Sequence, residues 1–394
     1  MVIGVIGGGA SGMAAALAAA ENPTVQVILF ERQARLGRKL QATGNGRCNL
    51  TNRNPAPYHG DAPEFAACAL SKFDATATLE WFGQLGLYTV TEPSGRVYPY
   101  SDQANSVVDV LRFGLDKPNI QIKTGFEVTK IRKGFTVEGA EGSIRCDRLI
   151  IACGGLAGTK LGGTMAGYQL LRSMGHHITK LRPALVQLKT GWSGIGALKG
   201  VRANCHAQIL HNGAVIAEST GEIQFTEYGL SGPVIFEISR DACQGKGDWV
   251  CRLNFLPDLE LKEELHRRQA TTLPMEELLT GILHNRLGRV LTKAAGISSS
   301  RTIASLNAEE IDAICSAVKA FEVSLTEPLG MDSAQVTAGG IVTKEFDCAT
   351  MESLLVPGLY ACGEVLDIDG DCGGHNLQWA WSSGRCAGLS AGKE

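Results

Sequence analysis

Three glycines near the start of the chain have the spacing of a phosphate-binding turn. In the stretch VIGVIGGGASGMAAALAAA (2–20), Gly7, Gly9 and Gly12 lie between an apolar run and a series of alanines. Gly7 permits a sharp turn after a strand, Gly9 lets the backbone approach a pyrophosphate, and Gly12 lets the following helix pack closely on the strand. Because the first N–H groups of that helix face the phosphates, the pattern predicts a dinucleotide site.

An acidic residue follows the second apolar run at the distance that a ribose contact requires. The run VQVILF ends at Phe30, and Glu31 comes nineteen residues after Gly12. A carboxylate at the end of the second strand, about 20 residues after the glycine turn, accepts hydrogen bonds from ribose hydroxyl groups. The negative charge of Glu31 repels a 2′-phosphate, so this residue argues against NADP at this position.

The glycine turn does not distinguish NAD from FAD, and that choice depends on the end of the chain. The run GLYACGEV places Gly363 and Glu364 directly after an apolar strand. A turn followed by a carboxylate suits the ribityl chain of FAD, which NAD lacks. The sequence has no second unit of strand, glycine turn and helix. We therefore expect that NAD(P)H, if it is the electron donor, binds only transiently; the alternative is another donor.

Hydrophobic periodicity predicts the elements that position these residues. We predict strands at 2–6 and 25–30, a helix at 10–20, mostly helical structure at 64–115 and an antiparallel meander at 120–139. A buried strand follows and ends in the glycines of CDRLIIACGG (146–155). One of these glycines, Gly154, is predicted to contact the cofactor. The patterns predict an α/β fold. Its Rossmann-like domain comprises 1–182 and 331–394, and it is interrupted by a β-rich subdomain (183–257) and a helical subdomain (258–330).

Composition limits the partners of this 394-residue chain. The net charge is −3 and no block of basic residues occurs, which disfavours nucleic acid as a partner. No apolar run reaches the about 20 residues of a membrane span, and the strand at the N-terminus predicts that no signal peptide is cleaved. The twelve cysteines form no C-x-x-C pair. We therefore predict reduced, mostly buried thiols in a cytoplasmic protein.

Four motifs carry a resemblance to a known family over nearly the whole chain. They are GRKLQATGNGRCNLTN, GEIQFTEYGLSGPVIFEIS, TAGGI and GEVLDIDGDCGGHNLQWAWSSG, in this order. With them the chain resembles the BaiN-like flavoproteins, a group that includes aminoacetone-oxidase-like enzymes. The resemblance implies non-covalently bound FAD, a Rossmann-like domain with a parallel sheet and a β-meander, and an inserted module made of a β-barrel and helices.

The resemblance also implies which residues contact the cofactor. The ADP half would lie along Ser11, Glu31 and Arg32, with the adenine at the backbone of Val128. Phosphates and flavin would be approached by Lys39 and by the loop that contains Gly44, Asn45, Arg47 and Cys48. The ribityl chain would contact Gly363 and Glu364, and the flavin pyrimidine edge would face Gly374, His375, Asn376 and Leu377. In the resembled family many members carry an aromatic residue such as Tyr where this chain has His375.

Two residues are candidates for catalysis beside the flavin. His375 could donate or accept a proton, with an ordinary pKa near ~6.5; the alternative is that it packs within its loop. Arg47 could stabilise negative charge on the flavin or the substrate. Cys48 has no second cysteine nearby, as a disulfide flavoenzyme would require, so we predict that it packs. The pair His176 and His177 has no further ligand at metal-binding spacing, so no metal site is predicted.

These features predict an FAD-dependent oxidoreductase that transfers hydride between flavin N5 and a small organic substrate. An NAD(P)H-linked reductase is the first interpretation. The alternatives are an amine oxidase that uses O2 and a flavin-dependent tRNA-modifying protein. The substrate, the electron donor and the oligomeric state are left open by the sequence.

Overall fold

The computed structural model describes residues 1–393, which form two compact units. The first unit contains Met1–Pro183 and the segment from Gln335 onward, and the second unit is Ala184–Ala334. The second unit is therefore an insertion in the sequence of the first. The boundaries of three subdomains drawn from the sequence remain a prediction. Within residues 1–393, no helix is both long enough and apolar enough to cross a bilayer.

The helices and strands alternate along the first unit, and strands dominate the first part of the second. The strands are β1 (Val2–Ile6), β2 (Gln26–Glu31), β3 (Thr51–Asn52), β4 (Tyr58–His59), β5 (Thr89–Thr91), β6 (Arg96–Pro99), β7 (Ile120–Thr124), β8 (Lys130–Arg132), β9 (Thr136–Gly139), β10 (Gly142–Arg145), β11 (Arg148–Ile151), β12 (Arg182–Ala184), β13 (Leu188–Thr190), β14 (Arg202–His211), β15 (Ala214–Phe225), β16 (Gly229–Ser231), β17 (Trp249–Asn254), β18 (Phe321–Pro328), β19 (Val336–Ala338), β20 (Leu359–Ala361) and β21 (Asp369–Gly370). The α-helices are α1 (Ala10–Ala19), α2 (Arg38–Ala42), α3 (Phe65–Lys72), α4 (Ala75–Gln84), α5 (Ala104–Gly114), α6 (Ala166–Ser173), α7 (Pro233–Ile238), α8 (Leu261–Arg268), α9 (Asn285–Ala294), α10 (Ala308–Lys319) and α11 (His375–Ala391).

A five-stranded parallel sheet is the centre of the first unit. Its strand order is β20-β11-β1-β2-β7. Ile6 at the end of β1 pairs with Phe30 and with Ile151, and Ile151 pairs with Ala361. The carboxyl ends of four strands therefore meet at one edge of the sheet, where ligands bind in open α/β folds. This sheet confirms the predicted Rossmann-like fold.

Helices α1 and α11 pack closely because their contact consists of small residues. A Cβ placed on Gly384 would come within 3.1 Å of the Ser11 Cα, and one on Gly388 within 2.8 Å of the Ala18 Cβ. The glycines are four residues apart, so they lie on one face of α11. Helix α1 is buried on nearly all sides. The alanine run thus serves helix–helix packing as well as packing on the sheet.

Two details of the first unit differ from the sequence-based expectation. The run 120–124 is not part of the meander: β7 joins the parallel sheet beside β2, and only β8, β9 and β10 form the antiparallel meander. Strands β5 and β6 interrupt the segment 64–115, which we expected to be mostly helical. The run that becomes β7 does not reveal its partner, because β2 is distant in sequence. Strands β5 and β6 pair with each other as neighbours in the chain, so the second error is an unrecognised local hairpin.

The second unit contains a closed barrel with the strand order β13-β16-β15-β14-β17-β18. Buried and less buried residues alternate along β17 and along most of β18, so one face of each strand points into the barrel. Helices α8, α9 and α10 lie between these two strands in the chain. The barrel and helices confirm the inserted module that the resemblance implied. Strand β18 lies in 258–330, which we expected to be helical throughout; it pairs with β17 and β13 and so closes the barrel.

The cysteines correct a further expectation. Cys68 and Cys348 form a disulfide bond, whereas we predicted that all twelve would be reduced. The other ten are free, and most of them are buried. The pairing joins α3 to a loop 280 residues away in the sequence. Such a distant pair has no local spacing signal, so the sequence could not reveal it.

Candidate functional site

The N-terminal glycine turn has the conformation that its spacing predicts. Gly7 has φ = 110°, which favours glycine, and Gly9 is the extended residue that directly precedes α1. A Cβ on Gly12 would come within 3.0 Å of the Gly7 carbonyl carbon, so helix and turn are in close contact. A Cβ on Gly9 would meet no atom within 4 Å. The turn therefore leaves open space beside Gly9, where a phosphate group fits.

Two backbone N–H groups hold the carboxylate of Glu31 in place. Its Oε2 accepts a hydrogen bond from the Gly8 N–H at 2.7 Å, and its Oε1 accepts one from the Gln33 N–H at 2.7 Å. Each carboxylate oxygen has a second lone pair. The carboxylate can therefore accept further hydrogen bonds from ribose hydroxyl groups. The neighbouring Arg32 is oriented by a 2.9 Å hydrogen bond from its guanidinium to the Gly162 carbonyl.

The end of the chain returns to this turn. A Cβ on Gly363 would lie 2.5 Å from the Ser11 Oγ, so these two residues are in contact. Lys39 and Glu364 form an ion pair at 2.8 Å between Nζ and Oε2. The other oxygen of Glu364 accepts a hydrogen bond from the Thr337 N–H at 2.9 Å. Four of the predicted cofactor residues are thus brought together from both ends of the sequence.

The loop after Lys39 has an unusual backbone. Gly44, Asn45, Gly46 and Cys48 all have φ between 57° and 86°, a range that non-glycine residues rarely adopt. The Cys48 side chain is fully buried, and burial raises the pKa of its thiol to about 12. Cys48 is therefore not a reactive thiolate, which agrees with the packing role that we predicted. The Arg47 and Cys48 N–H groups donate to the Gly44 and Thr43 carbonyls and so close the loop on itself.

Arg47 has less freedom to act as a catalytic charge than we expected. Its guanidinium pairs with Asp102 and, at 3.0 Å, with Glu92. It also lies over the Tyr98 ring, 3.9 Å from the ring centre. Two carboxylates already neutralise this cation. The contacts fit a residue that orders the loop.

Helix α11 begins beside this loop with no side-chain cap. Gly374, which precedes the helix, has φ = 106°, and the first turn contains no acidic residue. Within residues 1–393, the N–H groups of His375, Asn376 and Leu377 have no backbone acceptor. The Asn376 side chain instead bonds the Gly370 backbone through both its oxygen and its nitrogen. The positive end of this 17-residue helix is therefore available for a ligand with negative charge.

His375 is buried at the start of α11. The whole residue is 7% exposed to solvent, and its backbone carbonyl accepts a hydrogen bond from the Tyr58 hydroxyl at 3.0 Å. Burial lowers the pKa of the imidazole, and Arg96 lowers it further, while Asp371 opposes both. The ring is therefore neutral at pH 7. It can take part in a hydrogen bond, but it holds no permanent charge.

Two other predicted cofactor positions lie at the same edge of the sheet. Neither the N–H nor the C=O of Val128 has a backbone partner in the described part of the chain. Gly154 follows β11 with φ = 69°, and a Cβ placed on it would meet nothing within 4 Å. Both positions therefore offer free backbone or open space, as a bound nucleotide requires.

Our sequence reasoning missed several polar residues around the site. Asn49 directly follows the predicted loop, and its buried Oδ1 has no hydrogen-bond partner. His59, at the end of β4, and Asp371, directly after β21, form a pair with 2.7 Å between Nε2 and Oδ1. Gln378 is 5% exposed, accepts a hydrogen bond from the Thr51 hydroxyl and donates to Thr78. Asn49 and Asp371 stand inside the quoted motifs, and that position was the available signal.

The two adjacent histidines have a structural role. His176 and His177 bind the two oxygens of Glu345 at 2.8 Å and 2.6 Å. The His176 ring stacks on Phe346 and bonds the Ser353 hydroxyl at 3.0 Å. Among residues 1–393, no group of three or more His, Cys, Asp and Glu side chains is suited to hold a metal ion.

Several features of the first unit bear on whether FAD fits there. Open space beside Gly9 and Gly154, the uncapped start of α11 and the unpartnered Asn49 oxygen all lie in the first unit. A dinucleotide needs room for its pyrophosphate, and its flavin needs hydrogen-bond donors at the pyrimidine edge. The residues present therefore fit this cofactor.

Comparison with known proteins identifies close relatives. The family described as HI0933-like protein Rossmann domain matches residues 1–390. The chain is 40% identical to the 3-dehydro-bile acid delta(4,6)-reductase of Clostridium scindens, over 99% of this chain and 98% of that protein. It is 32% identical to the ribosomal RNA dihydrouridine synthase of Escherichia coli, over 96% of this chain and 95% of that protein. The corresponding synthase of Haemophilus influenzae is 28% identical, with 99% and 98% covered.

Proposed function

Because this chain belongs to the HI0933-like protein Rossmann domain family and is an FAD-dependent oxidoreductase, we propose that it reduces a carbon–carbon double bond conjugated to a carbonyl group in a small molecule. The family assignment confirms the resemblance to BaiN-like flavoproteins. The observation that carries the proposal is the 40% identity to a 3-dehydro-bile acid delta(4,6)-reductase along nearly the full length of both chains.

The names of the relatives share one chemistry. A 3-dehydro-bile acid with delta(4,6) unsaturation carries double bonds in conjugation with a carbonyl group, and so does the uridine base. Such a bond accepts hydride at its β carbon because the carbonyl oxygen takes up the negative charge. The α carbon then accepts a proton. Bound FAD, once reduced, supplies the hydride of this reaction.

The start of α11 supplies electrostatic stabilisation. Its free N–H groups and the positive end of the helix dipole favour negative charge beside them. The absence of an acidic residue from its first turn preserves this effect. Asn376 anchors the loop before the helix through Gly370 and so keeps the donors in position.

Proton delivery is best assigned to the pair of His59 and Asp371. Asp371 lies 2.7 Å from the His59 Nε2 and orients the ring, and the two side chains are 30% and 33% exposed, so solvent reaches the pair. His375 suits a different role, because the lowered pKa keeps it neutral. A neutral imidazole can donate a hydrogen bond to the substrate carbonyl oxygen. Arg47 is assigned to ordering its loop.

The electron donor in this proposal is NAD(P)H, which binds transiently. Support comes from the sequence, which contains no second nucleotide-binding unit for a resident nicotinamide. Reduction of the bound flavin by NADH or NADPH under anaerobic conditions would be seen as loss of the flavin absorbance. An enzyme whose flavin is reduced only by an amine would instead be an amine oxidase.

A reoxidation assay tests the substrate class. The anaerobically reduced enzyme is mixed with a 3-oxo steroid that carries 4,6-double bonds, with its saturated counterpart as the matched control. We expect the unsaturated compound to restore flavin absorbance at least about tenfold faster than the control, a difference of about 1.4 kcal/mol in barrier. Equal rates with the two steroids would contradict the proposal.

A second arm addresses RNA, because two relatives are named as ribosomal RNA dihydrouridine synthases. The balanced charge of −3 favours a small molecule, since RNA binding depends strongly on basic residues. The reduced enzyme is therefore also mixed with unmodified ribosomal RNA. Faster reoxidation by RNA than by the steroid would replace the small-molecule substrate with uridine.

A further inference from the structure

His176 connects two segments of the first unit through both nitrogens of its ring. The side chain is fully buried, and its Nδ1 lies 2.8 Å from the Glu345 Oε2. On the other side of the ring, Nε2 lies 3.0 Å from the Ser353 Oγ. The charged groups beside the ring are Glu345 and His177, whereas Phe346 and Ser353 make uncharged contacts. The imidazole therefore links Glu345 to the segment that begins at Ser353.

The partners of the imidazole determine where its proton lies. Burial raises the pKa of Glu345, but hydrogen bonds from His177 and His176 outweigh this effect and leave the pKa below its ordinary value. Glu345 is therefore a carboxylate that only accepts hydrogen bonds, so His176 donates to it from Nδ1. In the neutral ring Nε2 is then an acceptor, and the Ser353 hydroxyl donates to it.

The Ser353 oxygen organises the turn that follows it, residues 353–356. Oγ accepts hydrogen bonds from the Leu355 N–H at 3.1 Å and from the Val356 N–H at 2.9 Å. A hydroxyl oxygen has two lone pairs, so these two N–H groups use its whole acceptor capacity. Leu354 and Leu355 are 63% and 50% exposed, so apolar packing of these side chains adds little to the order of the turn.

A proton on the His176 Nε2 is incompatible with this arrangement. Nε2 becomes a third N–H donor that points at the Ser353 oxygen, and the serine hydroxyl loses its acceptor. At least one of the three N–H groups is then left unpaired, which is unfavourable for a buried group. Opening of the turn removes the conflict, because water can then bond the groups that are left over.

We propose that protonation of His176 opens the turn 353–356, so that this cluster is a pH-sensitive switch in the first unit. The switch depends neither on the substrate that the enzyme reduces nor on the position of the cofactor. It lies in the loop that leads into β20, the strand that precedes Gly363.

The direction of the pH effect follows from the two states of the turn. In the closed turn, burial lowers the pKa of His176 more than the hydrogen bond to Glu345 raises it. In the open turn the ring meets water, and its pKa returns toward the ordinary value of about 6.5. The open turn therefore binds the proton more readily. The closed turn is favoured above about pH 6.5, and opening becomes easier as the pH falls below that value.

Hydrogen–deuterium exchange of the full-length, FAD-loaded enzyme tests the switch. A peptide that contains Leu355 and Val356 is followed at about pH 7.5 and about pH 5.5, and exchange is expressed as a protection factor, which removes the direct effect of pH on the exchange rate. We expect protection in wild type to fall about tenfold between these two pH values, because opening gains up to about tenfold per pH unit below about pH 6.5. A peptide that contains β1 should keep its protection.

Three variants identify the group that is responsible. His176→Gln has no titrating ring, so its turn should show the same protection at both pH values. Ser353→Ala keeps the histidine but removes the oxygen, so it should show at about pH 7.5 the low protection that wild type shows only in acid. His177→Gln is the matched control, because the His177 ring also bonds Glu345 but is 79% exposed. It should keep the pH-dependent loss of protection.

A wild-type turn whose protection does not change with pH would overturn the inference. The same conclusion would follow from a His176→Gln variant that keeps the wild-type loss, since another group would then be titrating. A loss that extends equally to the β1 peptide would also count against it, because general unfolding would then explain the result. If His176→Gln does not fold, Ser353→Ala decides: wild-type protection of its turn at about pH 7.5 would refute the role of the serine oxygen.

Discussion

Ser11 and Gly363 touch each other, although they come from opposite ends of the chain. A Cβ on Gly363 would lie 2.5 Å from the Ser11 Oγ, and the Gly363 N–H donates to the Ser383 hydroxyl at 2.9 Å. The contact holds the glycine turn against the C-terminal motif. This juxtaposition brings together two distant parts of the sequence that we predicted to contact the same cofactor.

The first prediction separates binding from folding within the glycine turn. Gly9→Val should reduce FAD affinity at least about 100-fold, because the new side chain enters the open space where the pyrophosphate fits. The apoprotein should keep its melting temperature, because Gly9 has φ = −83°, which any residue adopts. Gly12→Val should instead destabilise the apoprotein by several kcal/mol, on the order of other overpacked sites. Flavin titration and thermal unfolding distinguish the two. A Gly9→Val protein that binds FAD normally would refute the placement of the phosphates.

The second prediction concerns the contact of α1 with α11. Gly388→Ala should lower the free energy of unfolding by about 1–3 kcal/mol, because its Cβ would lie 2.8 Å from the Ala18 Cβ. Gly83→Ala is the matched control in helix α4, where a Cβ meets nothing within 4 Å. It should raise stability by up to about 1 kcal/mol through helix propensity. Urea denaturation measures both, and equal effects of the two changes would contradict the close packing.

The third prediction concerns Lys39. Lys39→Met should weaken FAD binding about tenfold, since it removes a cation proposed to approach the phosphates. Stability should change by less than about 1 kcal/mol, because the Lys39–Glu364 pair is partly exposed. Lys189→Met removes a comparable ion pair with Glu327 in the barrel and should leave FAD affinity unchanged. An unchanged affinity in the Lys39 variant, measured by titration, would remove this residue from the cofactor site.

The fourth prediction concerns pH. Burial lowers the pKa of His375 and of His176 in the folded protein. In the unfolded chain both histidines have the ordinary pKa near ~6.5. As the pH falls toward that value, the unfolded chain therefore binds protons before the folded chain does. Stability should therefore be unaffected by these groups above about pH 7 and should fall as pH decreases from there, by up to about 1.4 kcal/mol per unit for each group. His375→Leu should reduce this loss, and the exposed His266→Gln should not. Unfolding curves from pH 5 to 8 test this, and identical slopes for His375→Leu and wild type would disprove it.

Local spacing was sufficient to predict the glycine turn, the first helix and the position of Glu31, because each depends on residues close together in the chain. The four motifs were sufficient to predict the family and the barrel. Neither source revealed that β7 joins the parallel sheet, that β18 closes the barrel or that Cys68 pairs with Cys348. Each of these depends on a partner far away in sequence.

The features of the candidate site also fall into two groups, those that the sequence indicated and those that only the folded chain revealed. Residue types and motif positions indicated Gly9, Glu31 and the start of α11 before any contact was known. The neutralised state of Arg47 and the unsatisfied oxygen of Asn49 followed only from the folded chain. The physical reason is that charge pairing and desolvation depend on which groups approach in space, and a linear pattern carries no information on that approach.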